Sequence, residues 1–369
     1  MKSSKIAYWL VVAVFGGGLL GLNWLPEGFS PESAGAAASE PLSTPASPQD
    51  DFPVPNGLKP LRVPSDNPMT TEKVELGKQL FFDPRLSRDD TVSCATCHSP
   101  EHGWSNGERF ATGVRDQVGG RSSPTIINSG YQYFHFWDGR ATGLEEQALG
   151  PITNPIEMDL TLEEAVEKIN GIEGYRHRFN TIFGSDATAE TIAKAIATFE
   201  RTIVSGDAPF DRYVAGDEDA LSDAAKRGHD IFFNRARCSA CHVPPNFSDR
   251  GFHNIGIGID ADEPDIGRVA ETNLLGDRGS FKTPTLREIQ RTAPYMHDGS
   301  LATLSDVVEY YAKGGTPNPQ LDEEIFPLKL TDEEKADLVT FLEEAFASPS
   351  YPNITAPELP DWPMDGGNN

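Results

Sequence analysis

The chain has 369 residues, 56 acidic against 31 basic side chains, a formal net charge of -25 and 38% hydrophobic residues. That balance disfavours a nucleic-acid partner, because phosphate binding needs clustered Lys and Arg. Its ordinary meaning is solubility; its functional alternative is a surface that steers a basic redox partner by long-range attraction.

At the amino terminus Lys2 and Lys5 precede an apolar run from Ile6 to Leu22, the charged and hydrophobic regions of an export signal. The run is nearly long enough to span a bilayer, and the small residues Ala36 to Ala38 lie well beyond it. Residues 1–25 therefore read as a signal peptide or as a retained membrane anchor, and the location as periplasmic, soluble or tethered. Residues 26–66, rich in Pro, Ala and Ser, bury little apolar surface and read as a linker. What remains is roughly 300 residues, enough for two ordinary domains.

"GKQLFF", Gly77 to Phe82, ends an amphipathic helical stretch and precedes "SCATCH". Cys94 and Cys97, three apart with His98 directly after, are the attachment signature of a c-type haem: each thiol can bond a vinyl group, and the imidazole can bind iron from one face. A zinc site or a redox dithiol would explain the cysteine pair but not the histidine that follows it. His102, four residues beyond His98, reaches the opposite face of an iron only through an almost fully extended link, so it reads as a surface residue.

Further along, "TLEEAVEKI" carries a capping box of Thr161 and Glu164, and "TIAKAIATFERTI" shows helical periodicity. "LSDAAKRGHDIFF", with a cap at Ser222, then leads to "RCSACHVP", where Cys238, Cys241 and His242 repeat the haem arrangement and use up the four cysteines. "LTDEEKADLVTFLEEAF" closes the series with a second capping box, Thr331 and Glu334. Strand signals are sparse. The predicted fold is mainly α: two cytochrome c-like haem domains related by internal repeat, at 67–215 and 216–350, followed by a tail at 351–369.

A second repeat addresses the sixth coordination position of each iron. "SPTIINSGYQYFHFWDGRATGLEEQALGP" and "TPTLREIQRTAPYMHDGSLATLSDVVEYY" align over 29 residues without a gap, pairing Pro124-Thr125 with Pro284-Thr285, Asp138-Gly139 with Asp298-Gly299 and Leu144 with Leu304. In that register Tyr311 falls opposite Pro151. A phenolate can ligate ferric iron, whereas a proline side chain has no donor atom. If these positions lie over the irons, the second haem is closed and the first open; Tyr310 and Met296 are the alternatives to Tyr311 if the register slips.

From about Thr70 to Phe346 the sequence resembles the bacterial di-haem cytochrome c peroxidase family, including its MauG relatives, through "SCATCH", "FWDGR", "EQALGPITNPIEM", "CSACH", "FKTPTLRE" and "APYMHDGS". The resemblance implies a periplasmic, mainly helical enzyme that reduces hydrogen peroxide at one haem with electrons passing through the other. It implies Trp137 as the aromatic between the haems, and Gln147, Pro151 and Glu157 above the open iron. Cleaving the peroxide bond moves a proton from the near oxygen to the far one, work suited to a carboxylate such as Glu157. The bland reading of Glu157 is a surface glutamate flanking a helix.

Many members carry a displaceable histidine on the first haem, in the loop that here reads "SNGERFATGVRDQVGG" and contains none. Of the other histidines, His135 is the one remaining candidate for the distal side of the first iron, with packing beside Trp137 the favoured reading; His253 and His297 are expected to be structural, and His177 and His229 to be exposed. Tyr311 stands where familiar peroxidases have methionine and MauG has tyrosine. Methionine raises the reduction potential and an anionic phenolate should lower it, which sets reduction by an ordinary cytochrome c in question. The family also binds calcium through an asparagine side chain and two backbone carbonyls. Thr292 and Pro294 match the carbonyls, but Ser122 replaces the asparagine with a poorer oxygen ligand.

Three functions follow. The first is an exported peroxidase served by a small electron-donor protein, a cytochrome c or copper protein. The second is a MauG-like oxidase that takes electrons from aromatic residues of a partner protein. The third is a di-haem electron carrier that needs neither an open iron nor Glu157.

Overall fold

The computed structural model describes residues 52–361; the leader at 1–25 and most of the linker lie outside them. Among the described residues no helix is long and apolar enough to cross a membrane. The elements are overwhelmingly helical: α1 (Thr71–Phe82), α2 (Cys94–Cys97), α3 (Leu144–Thr153), α4 (Leu162–Gly171), α5 (Glu173–Phe183), α6 (Ala189–Glu200), α7 (Pro209–Val214), α8 (Asp223–Asp230), α9 (Val269–Thr272), α10 (Leu304–Lys313) and α11 (Asp332–Glu344). The two strands, β1 (Phe252–His253) and β2 (Phe281–Lys282), form one short antiparallel pair with Phe252 opposite Lys282.

Local chemistry starts these helices where the sequence places the signals. Thr161 Oγ1 accepts the Glu164 N–H at 3.1 Å while Glu164 returns a carboxylate to the Thr161 N–H at 2.8 Å. Thr331 and Glu334 do the same for α11, and Ser222 caps α8 through the Ala225 N–H. Each such cap answers an otherwise unpaired N–H of the first turn.

The helices pack into two apolar clusters. One centres on Leu80, Phe81, Trp104, Tyr175, Phe179 and Phe199, the other on Phe210, Phe232, Phe247, Phe341 and Phe346. In each, a glycine lets two helices meet at their backbones. A Cβ on Gly77 would lie 1.9 Å from the Ala195 carbonyl oxygen of α6, and one on Gly228 would lie 2.1 Å from that of Asp337 in α11. These glycines open "GKQLFF" and "GHDIFF", so the recurring residue is a requirement of close crossing.

Residues on either side of the helical body are held to it. Asn56 O accepts the Asp207 N–H at 2.7 Å, and Lys59 O accepts the Tyr131 hydroxyl at 2.8 Å. At the other end the Trp104 indole N–H donates to Pro352 O at 2.9 Å, Gln79 to Glu358 O and Arg85 to Pro360 O, so residues 351–360 lie as a strap over the first cluster. His177 is exposed as expected. His229 is not: it is half-buried among Phe210, Tyr213, Phe233 and Phe341, because the last turn of α8 packs into the second cluster.

Candidate active site

Two cavities carry the two cysteine pairs. The first, of about 580 Å³, is lined by Cys94, Cys97 and His98 together with Gln147, Pro151 and Glu157. The second, of about 190 Å³, is lined by Cys238, Cys241, His242, Met296 and Tyr311. Trp137 lines both.

In the first cavity the single turn of α2 presents both cysteines, and His98 follows as its C-cap. The His98 Nδ1–H donates to Trp104 O at 3.2 Å, which leaves Nε2 as the free ligand atom. His242 is held the same way by Phe247 O at 2.9 Å. The four thiols form no disulfide. Burial pushes Cys97 up to about 11 and Cys238 to about 12, and raises Cys94 as well. Thiols so buried are poor nucleophiles. Two thiols and an oriented imidazole facing one cavity, twice, fit a covalently held haem in each.

α3 begins at Leu144 and brings Gln147 and Pro151 to the wall of the same cavity as His98. Glu157 follows in the turn after α3, its Oε1 accepting from Asn154 Nδ2 at 2.8 Å. Burial raises the Glu157 pKa, opposed by that hydrogen bond and by the charge of Arg140. The shift favours the protonated form relative to an ordinary carboxyl, the direction that suits a group that must both take and give a proton. The histidine-free loop supports this turn. Val114 N–H donates to Glu157 O at 2.8 Å, Gln117 Nε2 donates to Pro155 O at 2.9 Å, and a Cβ on Gly113 would lie 2.1 Å from Ile156 O. Nothing in the sequence pattern announced that clamp.

In the second cavity Tyr311 and Tyr310 separate cleanly. The Tyr310 hydroxyl donates to Ile255 O at 2.9 Å and accepts the Thr316 N–H. The Tyr311 hydroxyl has no hydrogen-bond partner on the protein and faces the cavity. Burial, with Cys238 and Cys241 beside it, raises its pKa far above the ordinary phenol value, so the phenolate needs a cation there.

Between the cavities the Trp137 indole N–H donates to Ser122 O at 2.8 Å, and Trp137 O accepts the Lys282 N–H at 2.8 Å. The aromatic ring next to Trp137 is His297, at 6.4 Å and edge-on, itself stacked on Phe281 at 3.6 Å. His135 lines the first cavity together with Trp137, buried with Nε2 unpartnered, and its backbone bridges to Ala141; the ring in contact with Trp137 is that of His297. Ser129, Gln132, Glu200 and Lys282 line the same cavity. Sequence reasoning missed all four; Glu200 reads there as one more acidic residue on an amphipathic helix.

Among the described residues, the one group of His, Cys, Asp and Glu atoms close enough to share a metal is Cys241, Asp249 and His253. Cys241 belongs to a haem motif, and both His253 ring nitrogens are taken, by Asp249 at 2.8 Å and Asp322 at 2.7 Å. This is an ion clamp, with His253 pushed up to about 11, chiefly by its bond to Asp249. Thr292 closes a 3-10 turn with its hydroxyl on Ile289 O, and Pro294 follows two residues on.

The sequence profile of the family described as di-haem cytochrome c peroxidase matches residues 71–219. The methylamine utilization protein MauG of Methylorubrum extorquens is 45% identical over 299 residues, spanning 80% of this chain and 84% of that protein. Cytochrome c551 peroxidase of Pseudomonas aeruginosa is 35% identical, spanning 84% of this chain and 87% of its own. A crystal structure of a MauG-like protein associated with microbial copper homeostasis superposes with a TM-score of 0.77 at 34% identity, covering 82% of this chain and 98% of that one.

Proposed function

Given that this chain belongs to the di-haem cytochrome c peroxidase family, MauG proteins included, we propose that it is an exported enzyme that reduces hydrogen peroxide to water in the first cavity. Electrons reach that cavity from the second through Trp137. The observation that carries this reading is the contrast between equivalent helices. α3 and α10 each run ten residues, from Leu144 and Leu304, and the eighth residue is Pro151 in one and Tyr311 in the other. One cavity has room and a carboxyl without a donor side chain at that position; the other has an unpartnered phenol.

The reading includes two copies of one haem-binding unit, with domains at 67–215 and 216–350. Its support is a set of pairs 160 residues apart. Asn128 and Glu288 both take a left-handed backbone, as do Phe136 and Met296. The bridge His135–Ala141 recurs as Tyr295–Leu301. Thr125 and Thr285 each turn a hydroxyl onto a backbone carbonyl of the segment after a haem motif.

Cys94, Cys97 and His98, and Cys238, Cys241 and His242, would each hold a haem, and the haems would supply the redox chemistry. The rest is the work of side chains. Glu157 would take a proton from one peroxide oxygen and return it to the other as the O–O bond breaks, so that peroxide, two protons and two electrons leave as two waters. Gln147 offers its amide to the bound peroxide. Pro151 would keep its position free of a competing ligand, and the Tyr311 phenol, lining the second cavity without a protein partner, would be the side chain that holds the second haem there. Calcium at the carbonyls of Thr292 and Pro294 has no step in this scheme.

Tyr311 favours a second reading for the electron source: aromatic side chains of a partner protein, as in a MauG-like oxidase, because a phenolate stabilises oxidised metal and opposes reduction by a cytochrome c donor. A pure electron carrier leaves unexplained both the first cavity's room and the raised pKa of Glu157. The test is peroxide consumption by holoprotein with reduced cytochrome c, with a reduced copper protein and with no donor protein. Turnover with either donor supports the peroxidase. Covalent change in a co-purified partner's aromatic residues, without such turnover, supports the oxidase. No peroxide consumption in any arm refutes both.

A further inference from the structure

Several polar groups that line the first cavity have nothing to bond. Ser129 Oγ, Gln132 Oε1, His135 Nε2 and Glu200 Oε2 are buried without a hydrogen-bond partner, and the Lys282 ammonium on the same cavity wall has none either. Ser129, His135 and Glu200 are only 8%, 6% and 4% exposed. Buried polar atoms are nearly always paired, so this concentration marks the place of a polar guest.

Packing brings the groups together. The Ser129–Tyr131 turn sits on the end of α6, where a Cβ on Gly130 would lie 3.4 Å from Cγ of Arg201, the neighbour of Glu200. His135 lies within electrostatic reach of both Lys282 and Arg201. Arg201 is held to Glu145 by its Nη2 at 2.8 Å, while its Nη1, ion-paired with the same carboxylate, is a further buried atom without a hydrogen-bond partner beside the cluster.

The chemistry of the guest follows from the donors. An ammonium, a hydroxyl, an imidazole, an amide that can turn its NH2 inward and a carboxyl that burial pushes up to about 8 can all donate at neutral pH. A group that accepts from all of them is a carboxylate. A porphyrin tethered by its vinyl carbons to Cys94 and Cys97 carries its two carboxylates on its other side. We propose that Ser129, Gln132, His135, Glu200 and Lys282 form the seat of the propionates of the first haem. Lys282 is the charge partner and Glu200 the neutral carboxyl donating to a propionate oxygen. Because Lys282 also lines the second cavity and its N–H bonds Trp137 O, the same residue ties the porphyrin edge to the indole between the sites.

This inference rests on the haem reading of the cavity, and its test keeps the two apart. Holoprotein is prepared as wild type, Lys282→Met, Lys282→Arg and Glu200→Gln, and haem is counted by mass and by its alkaline pyridine spectrum. Wild-type protein without haem on Cys94 and Cys97 would refute the haem reading itself. With both haems attached, Lys282→Met should lower the midpoint potential of the first haem. A unit charge about 10 Å from the metal at an effective dielectric of about 20 shifts its reduced-to-oxidised ratio roughly tenfold, which is about 59 mV for a one-electron couple. Lys282→Arg should restore it. The propionate vibrations of that haem in resonance Raman spectra should shift in Lys282→Met and in Glu200→Gln. Two attached haems with unchanged potential and unchanged propionate bands in both variants would overturn the seat and leave the cluster to ordered water.

Discussion

Asn154 tunes the Glu157 carboxyl, and removing it should move the pH dependence of the enzyme in a direction the structure dictates. The Asn154 Nδ2–H donates to Glu157 Oε1 at 2.8 Å, a bond that favours the ionised carboxylate while burial favours the neutral acid. A hydrogen bond to a charged group contributes about 1.5–3 kcal/mol, and one pKa unit corresponds to about 1.4 kcal/mol. Asn154→Ala should therefore raise the Glu157 pKa by about 1–2 units. Since Glu157 must be ionised to take the first proton, the acid limb of kcat/KM for peroxide should move to higher pH by the same amount. Asn154→Asp is the structural control. It keeps an oxygen to accept the Ile156 N–H, as Asn154 Oδ1 does at 3.2 Å, and brings a second negative charge, so it should shift the limb in the same direction without loosening the turn. Glu157→Gln should abolish the limb and slow peroxide consumption by on the order of 100-fold or more. An acid limb at the wild-type pH in both Asn154 variants, or one that survives in Glu157→Gln, would refute the assignment of the proton carrier.

Tyr311→Phe removes an oxygen that bonds nothing on the protein, so haem-free stability should change by less than about 1 kcal/mol. The ferric spectrum and midpoint potential of the second haem should nonetheless change, and Tyr311→Met should raise that potential; no change in either variant hands the role to Met296. Because Pro151 offers no donor and the 105–120 loop holds no histidine, cyanide should perturb the fully ferric spectrum at once. A requirement for prior partial reduction would contradict this. Trp137→Phe should leave cyanide binding intact while slowing electron exchange between the haems, as followed by stopped-flow; equal exchange rates would remove Trp137 from the route. Truncation after Ser350 deletes the carbonyls that hold Trp104, Gln79 and Arg85. At about 1 kcal/mol for each hydrogen bond, stability should fall by about 3 kcal/mol, visible as a lower Tm in a thermal melt; an unchanged Tm would show the strap to be idle.

What the sequence by itself determined is the chemistry written over short spans. Each Cys-x-x-Cys-His unit is local in this sense: one turn of chain already brings two thiols and an imidazole to one cavity. The caps at Thr161, Ser222 and Thr331 read correctly because each is closed by a partner three residues away. The place of Tyr311 on the wall of the second cavity was legible for a different reason: the gapless repeat turned a question of tertiary position into a comparison of two strings.

Only the tertiary structure decided the groups whose properties depend on what covers them. His229 looks like a surface histidine until α11 and Phe210 close over it. Glu200 differs from its exposed acidic neighbours on the chain only in being buried without a partner for one oxygen. The support of Glu157 comes from Val114, 43 positions earlier, and that of Trp104 from Pro352, 248 positions later. Desolvation and the pairing of polar atoms are set by contacts between residues remote in sequence, and periodicity along the chain carries no information about which remote residue will arrive.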